Sequence, residues 1–317
     1  MLLLSTLALL ATTTNSAVQR AADTDTVVSV APGTRLRVET MGGDINVKVW
    51  DRNQVRIQAT HARRTRVEVR QRGAVLSLEA SAQYGPGGLV DYDLTVPVWM
   101  ALKLSGMSVT VTVDGVRAPI EVESLEGDIT VKGGSESVKL TAVNGKIVAS
   151  GVRGRLEINS TSEDVAVSDL EGDLAVEAIS GDVLLRDIRA KAVDVGAVSG
   201  DVWLGGRIQD GGSYSIAAHS GDIVLAVPEG TNATITTRVF SGELRAGFTL
   251  PSPENPSRRQ QRFRLGTGSA VVDLDAFSGD IHLVRPADFA ARIDRELRRR
   301  DDESNRKHEQ SEEGTWP

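Results

Sequence analysis

The sequence predicts an all-β chain folded as a β-solenoid, a parallel β-helix-like stack of coils of about 18 residues with two strands per coil, followed by a short C-terminal helix. Three observations predict it. Corner motifs of the Gly-Asp type recur along the chain, with Asp44, Asp128, Asp164, Asp182, Asp201, Asp222 and Asp280 at the anchor position and Lys146 and Glu243 in the equivalent place. Aliphatics flank the anchors at fixed offsets: Ile120/Val122, Leu156/Ile158 and Leu174/Val176 lie eight and six positions before, Ile129/Val131, Val165/Val167 and Val183/Leu185 one and three after. Aromatics make up only 4% of the chain while 31 of its 317 residues are glycine, which suits a rod better than a compact globule filled by large rings.

Alternation at period two over four to six residues is a strand signal, and its appearance on both sides of each anchor excludes helix there. Position −4 is small in nearly every unit, as at Ser124, Ala142, Ser160, Ala178, Ala197, Ala218 and Ala276, with Val239 the exception. A small residue followed by Gly-Asp lets the chain turn. Glycine supplies backbone angles other residues avoid, and each Asp is expected to close its own turn by accepting from the amides just after it. A single coil cannot bury its aliphatics alone, so the units must stack about 4.8 Å apart into a rod on the order of 40 Å long. The competing architecture is an antiparallel meander, which would leave one aliphatic face uncovered.

The elements follow in order. Residues 1–22 begin with the apolar run MLLLSTLALLA and continue into a small polar stretch, the pattern of a signal peptide without its basic start. Residues 24–100 form an N-terminal β region, with one isolated repeat unit at Asp44 and a break at Tyr84-Gly85-Pro86-Gly87-Gly88. Residues 101–284 are the solenoid, which includes a degenerate unit anchored at Thr110 and a Pro-rich insertion at 249–264 that doubles the spacing from Glu243 to Asp280. Residues 285–317 begin with Phe289, Ile293 and Leu297 at a spacing of four, a narrow helical stripe suited to capping the last open coil. From Asp301 the composition is that of a disordered charged tail.

Several function classes fall away. The absence of cysteine removes disulfides, thiolate chemistry and Cys-bound metals, and a net charge of −7 makes no case for nucleic acid. No cofactor or metal is expected: the aspartate row is interrupted by Lys146 and lacks the denser Gly-Gly-x-Gly-x-Asp pattern of calcium-binding β-rolls. No catalytic residues are assigned. His61, His219, His282 and His308 are scattered, and the Ser of Ser-Gly-Asp recurs for structural reasons. One departure bears on catalysis: the insertion carries Glu254, Arg258, Arg259 and Arg262 and could overhang the rod to form a cleft.

Two surfaces are candidates for binding. On the strand after the anchor the outward row reads Thr112, Thr130, Val148, Ala166, Leu184, Trp203, Val224, Arg245 and His282, apolar at its centre. A strand apolar on both faces is either covered, with the N-terminal region as the obvious lid, or exposes a patch in which Leu184, Trp203 and Val224 meet a partner. The second surface is basic: Arg56, Arg63, Arg64, Arg66 and Arg70 crowd one stretch suited to a polyanion, or to plain edge protection.

The segments Leu36-Arg37-Val38-Glu39, Gly43-Asp44-Ile45-Asn46-Val47 with Trp50, and VDYDLTVP from Val90 to Pro97, together with the serial Ser-Gly-Asp units, resemble the bacterial "putative adhesin" β-repeat family, a domain of unknown function. The resemblance covers roughly residues 28–284. It implies an extracytoplasmic protein, secreted, periplasmic or at the cell surface, with no catalytic residues to carry over. The expected function is a non-enzymatic adhesin or interaction scaffold whose partner is a surface glycan or an envelope protein. An envelope regulatory or sensing protein is the alternative, and a polysaccharide-active enzyme on a β-helix the weaker one. No stretch reaches the length of apolar residues that spans a bilayer.

Overall fold

The computed structural model describes residues 24–82, 88–254, 257 and 259–295. The signal-peptide and charged-tail expectations, Leu297, Arg258 and most of the Tyr84–Gly88 break lie outside the described residues.

Twenty-four strands form the described chain. The N-terminal part contains β1 (Thr24–Ser29), β2 (Arg35–Trp50), β3 (Gln54–His61), β4 (Thr65–Arg72), β5 (Val75–Ala82), β6 (Val90–Pro97) and β7 (Ala101–Asp114). The repeats continue as β8 (Ile120–Glu126), β9 (Ile129–Lys132), β10 (Ser135–Asn144), β11 (Ile147–Ser150), β12 (Arg153–Ser160), β13 (Val165–Glu171), β14 (Leu174–Ala178), β15 (Val183–Arg189), β16 (Ala192–Ser199), β17 (Val202–Gly206), β18 (Ser213–Ser220) and β19 (Ile223–Ala226). The chain ends with β20 (Ala233–Ser241), β21 (Leu244–Ala246), β22 (Gln260–Leu265), β23 (Ala270–Ser278), β24 (Ile281–Val284) and a helix, α1, over 286–295.

The strands lie in two ladders that meet at the Gly-Asp corners. The pre-corner ladder runs β4–β5–β2–β7–β8–β10–β12–β14–β16–β18–β23–β20–β22. The post-corner ladder runs β1–β3–β6–β2–β7–β9–β11–β13–β15–β17–β19–β24–β21. Pairing between coils is parallel and in register, as in Leu156↔Leu174 and Val165↔Val183. The solenoid, rather than a meander, is what forms. Parallel pairing places identical offsets side by side, so the inward aliphatics stack into one core that runs from Leu36 to Leu283.

The strongest constraint on the corners is steric. A Cβ added at Gly221, whose φ is +146°, would stand 2.1 Å from the carbonyl oxygen of Gly200 in the coil beneath. Stacking at strand spacing therefore demands glycine in column, beyond any demand of the turn itself. Val109 and Glu163 are the departures: they take the glycine place before Thr110 and Asp164.

Three features differ from the sequence reading. The Asp44 unit is not isolated: β2 spans both ladders and pairs directly with β7, with Asp44 opposite Thr110, so no packing boundary falls at residue 100. The chain order of the last coils is exchanged in space. The final coil, β23–β24, inserts between β18–β19 and β20–β21, and the latter becomes the outermost coil. The insertion at 249–264 makes this possible by carrying the chain back, and its distal part forms β22, antiparallel to β20. The open pre-corner edge is thus covered by β22 and not by the C-terminal helix.

Helix α1 lies instead on the outside of the post-corner ladder. Phe289 and Ile293 form a second, small core with Val224, Ala226 and Val284.

Candidate functional site

The anchor aspartates bond forward along the rod. Each carboxylate Oδ1 accepts from the backbone N–H of the anchor residue in the next coil: Asp164 from Asp182 at 2.8 Å, Asp182 from Asp201 at 2.6 Å, Asp201 from Asp222 at 2.8 Å and Asp222 from Asp280 at 2.7 Å. Asp128 accepts from Lys146, Asp280 from Glu243, and the Asp44 N–H donates to Asp91. The expectation that each Asp closes its own turn is therefore corrected. Parallel stacking brings the next anchor amide within reach, and the row stitches coils to one another. Among the described residues no cluster of three or more side chains is arranged to hold a metal ion.

The centre of the apolar outward row is covered. Leu184, Trp203 and Val224 do come together on adjacent coils, but α1 packs on them, and Val224 is only 2% exposed. The Phe289 ring tilts against Trp203 with centroids 6.3 Å apart. Gly205 gives the ring its seat, since a Cβ there would fall 2.3 Å from Phe289 Cε1. The lid is thus the C-terminal helix and not the N-terminal region, whose strands extend the two ladders. At the edge of this cover His282 is held below its ordinary pKa, chiefly by burial and then by Arg292, while Asp222 and Asp280 pull the other way.

The arginine stretch does not form one patch. Arg56 lies on β3 in the post-corner ladder and pairs with Asp25, whereas Arg66 and Arg70 lie on β4 in the other ladder, where Arg70 pairs with Glu68 and Glu79. Arg63 and Arg64 stand in the turn between the two strands. The chain diverges to two ladders at this point, and two of the five candidate arginines are already ion-paired.

The feature that sequence reading missed lies three residues before each anchor. The alternation that sends −8, −6 and −4 inward sends −3 outward, and this column reads, in spatial order, Met41, Met107, Leu125, Val143, Thr161, Ile179, Val198, His219, Phe277 and Phe240. It is an apolar ridge along the corner, with Ile179 and Phe240 each 53% exposed. The exchanged coil order sets Phe277 between His219 and Phe240. The three rings stack at 4.7 Å and 4.8 Å with interplanar angles of 9° and 3°, and the Arg259 guanidinium lies 4.3 Å over Phe240.

Beside the ridge runs an open groove of about 760 Å³. Gly196 and Ala217 keep its floor low, while Glu177 and the Arg238–Asp275 ion pair edge it. Arg259 and Gln260 from the insertion complete one wall, so the insertion does overhang the rod, although Glu254 is paired with Arg264. A second groove, of about 370 Å³, flanks Met107, Leu125 and Val143.

The fold and its corners define a class: a parallel β-solenoid with stitched corners and an exposed apolar ridge. The Toastrack DUF4097 family matches residues 33–284, and the chain belongs to that family. No curated protein matches it. Among solved structures, the chain is similar to one described as a "putative cell adhesion protein" from Clostridium sporogenes, at 10% identity and a TM-score of 0.23, covering 83% of this chain and 99% of that one. It is also similar to a "putative adhesin" from Parabacteroides distasonis, at 16% identity and a TM-score of 0.32, covering 82% and 96%. No helix among the described residues is long and apolar enough to cross a membrane.

Proposed function

We propose that this protein is a non-enzymatic, extracytoplasmic interaction module, an adhesin or scaffold, that acts through the ridge from Met41 to Phe240. The observation that carries the reading is the ridge itself. Among the described residues, the outward rows five and seven positions before the anchors are mostly polar, ion-paired across coils as in Lys103–Glu121 and Lys139–Glu157, and the centre of the post-corner row lies under α1. An exposed apolar strip, broken at Thr161 and His219, marks a contact surface. Both faces of the Phe277 ring are occupied by its neighbours, and one face of Phe240 is occupied by Arg259. Pyranose rings stack on free aromatic faces, whereas this ladder offers mainly edges, which suit aliphatic side chains. A protein partner is therefore favoured over a surface glycan. The extracytoplasmic assignment rests on the apolar run at the N-terminus.

The test is retention of the purified chain on bacterial envelope fractions, run beside an Ile179→Ser, Phe277→Ser variant and a glycan array. Retention lost in the variant at an unchanged melting temperature supports the reading. Undiminished retention in the variant, or binding confined to glycans, would overturn it.

A further inference from the structure

Resting on the reading of the ridge as a contact surface, we propose that its partner is a second copy of this chain, packed side by side and antiparallel about a two-fold axis that crosses the rod near Thr161 and Ile179. Ridge side chains repeat at the coil spacing, measured at 4.7 and 4.8 Å in the ring stack. A helix laid along the ridge repeats its contact face every turn, at a pitch of about 5.4 Å, and drifts by roughly 0.6 Å per coil. Over the nine steps from Met41 to Phe240 that drift amounts to about one whole repeat. An extended strand, with same-face side chains about 6.6–6.8 Å apart, loses register within two or three coils. Another rod of the same coil spacing stays in register throughout, so side chains of one ridge can seat between those of the other along the whole length.

Nine steps at about 4.8 Å give a contact about 43 Å long. With the ridge and its flanks roughly 15–20 Å wide, each copy buries on the order of 650–850 Å², close to the ~800 Å² per partner of a stable interface.

Charge sets the direction. Glu123 and Glu126 flank the ridge in its N-terminal half and form no ion pair with a described residue. At the far end Arg238 is neutralised by Asp275 and Asp273, while the Arg259 guanidinium lies over the Phe240 ring and forms no ion pair with a described residue. A parallel pair would set Glu123 and Glu126 on their own copies and Arg259 on Arg259. Antiparallel packing brings Arg259 of each copy toward the acidic half of the other, which favours that direction over the parallel one. It also makes the contact isologous and closed, opposing Met107 to Phe277, Leu125 to His219 and Val143 to Val198.

The chain has no cysteine, so single cysteines report the geometry directly. Light scattering of the full chain at about 10 μM, above the micromolar Kd that bounds weak interfaces of this size, is expected to give twice the chain mass. An Ile179→Glu, Phe277→Glu variant is expected to run as a monomer with an unchanged circular dichroism spectrum. Mixing Val143→Cys with Val198→Cys under mild oxidation should yield a mixed disulfide dimer, and Val143→Cys alone should form no intermolecular disulfide. A monomeric wild type, a dimer that survives the glutamates, or a disulfide formed by Val143→Cys with itself would overturn the proposal. If the wild type is monomeric and ridge substitutions still abolish envelope retention, self-pairing fails and the broader reading stands. If the ridge variant is monomeric and retention is undiminished, self-pairing stands and the broader reading fails.

Discussion

An aspartate at a Gly-Asp corner could hold its own turn or reach another coil, and in this rod it reaches the next coil. The Asp201 carboxylate accepts the Asp222 N–H at 2.8 Å, a group whose own strand begins only at Ile223 and which has no ladder partner there. Asp201→Ala leaves that part-buried donor without its acceptor and is expected to lower stability by about 1–2 kcal/mol. Asp201→Asn keeps an oxygen in place and should cost less than about half of that. Urea unfolding of the two variants beside wild type measures the difference. The positions of these side chains are legible as a period. The direction of the hydrogen bond is not, because a carboxylate lies within reach of amides both in its own turn and in the neighbouring coil, and only the stacked geometry selects one. Tyr92 is a different case: its hydroxyl is buried with no hydrogen-bond partner among the described residues, and burial pushes its pKa up to about 12.

The elements divide between those that local pattern specifies and those that choose a place. Strands of the repeats follow from alternation, and the register of each coil on the next follows from equal offsets. Helix α1 is legible from Phe289 and Ile293 four apart, but its docking site is not, since the end of the rod and the apolar row through Trp203 both offer apolar surface. The row prevails because Gly205 opens a notch that admits the Phe289 ring. Gly205→Ala puts a methyl 2.3 Å from that ring and is expected to undock α1. The readout is a red shift of tryptophan emission as Trp203 is uncovered, with the main unfolding transition little changed because the larger core does not contain Phe289. The ridge at position −3 lies within reach of the same alternation rule, one residue beyond the small position at −4.

At the scale of the whole molecule the rod is closed at its C-terminal end by a coil that is not the last in sequence. β20 pairs with β23 and β22 and has no register with β18, so it depends on the final coil for its place. A chain ending at residue 267 should keep its coils through β19 folded, while residues 227–267 become the first site of limited proteolysis. A chain ending at residue 285 should resist at the same positions. Mass spectrometry of the fragments distinguishes the two. The exchange also places Phe277 between His219 and Phe240, so the aromatic end of the ridge is a property of the assembled rod.

The sequence by itself determined the coil: its length, its two strands, which side chains point inward, and the glycine column that lets coils approach. These rest on local periodicity and on steric limits that every unit repeats, and they also sufficed to reveal the resemblance to a family of β-repeat domains. The tertiary structure decided which coil follows which at the C-terminal end, what covers the Leu184, Trp203 and Val224 row, where the arginines part company, and how the exposed rings align. Successive coils present nearly identical edges and inward faces, so local sequence is close to degenerate among their pairings. The choice falls to the few contacts that are not repeated: the β22 return, the Gly205 notch and the aromatic stack.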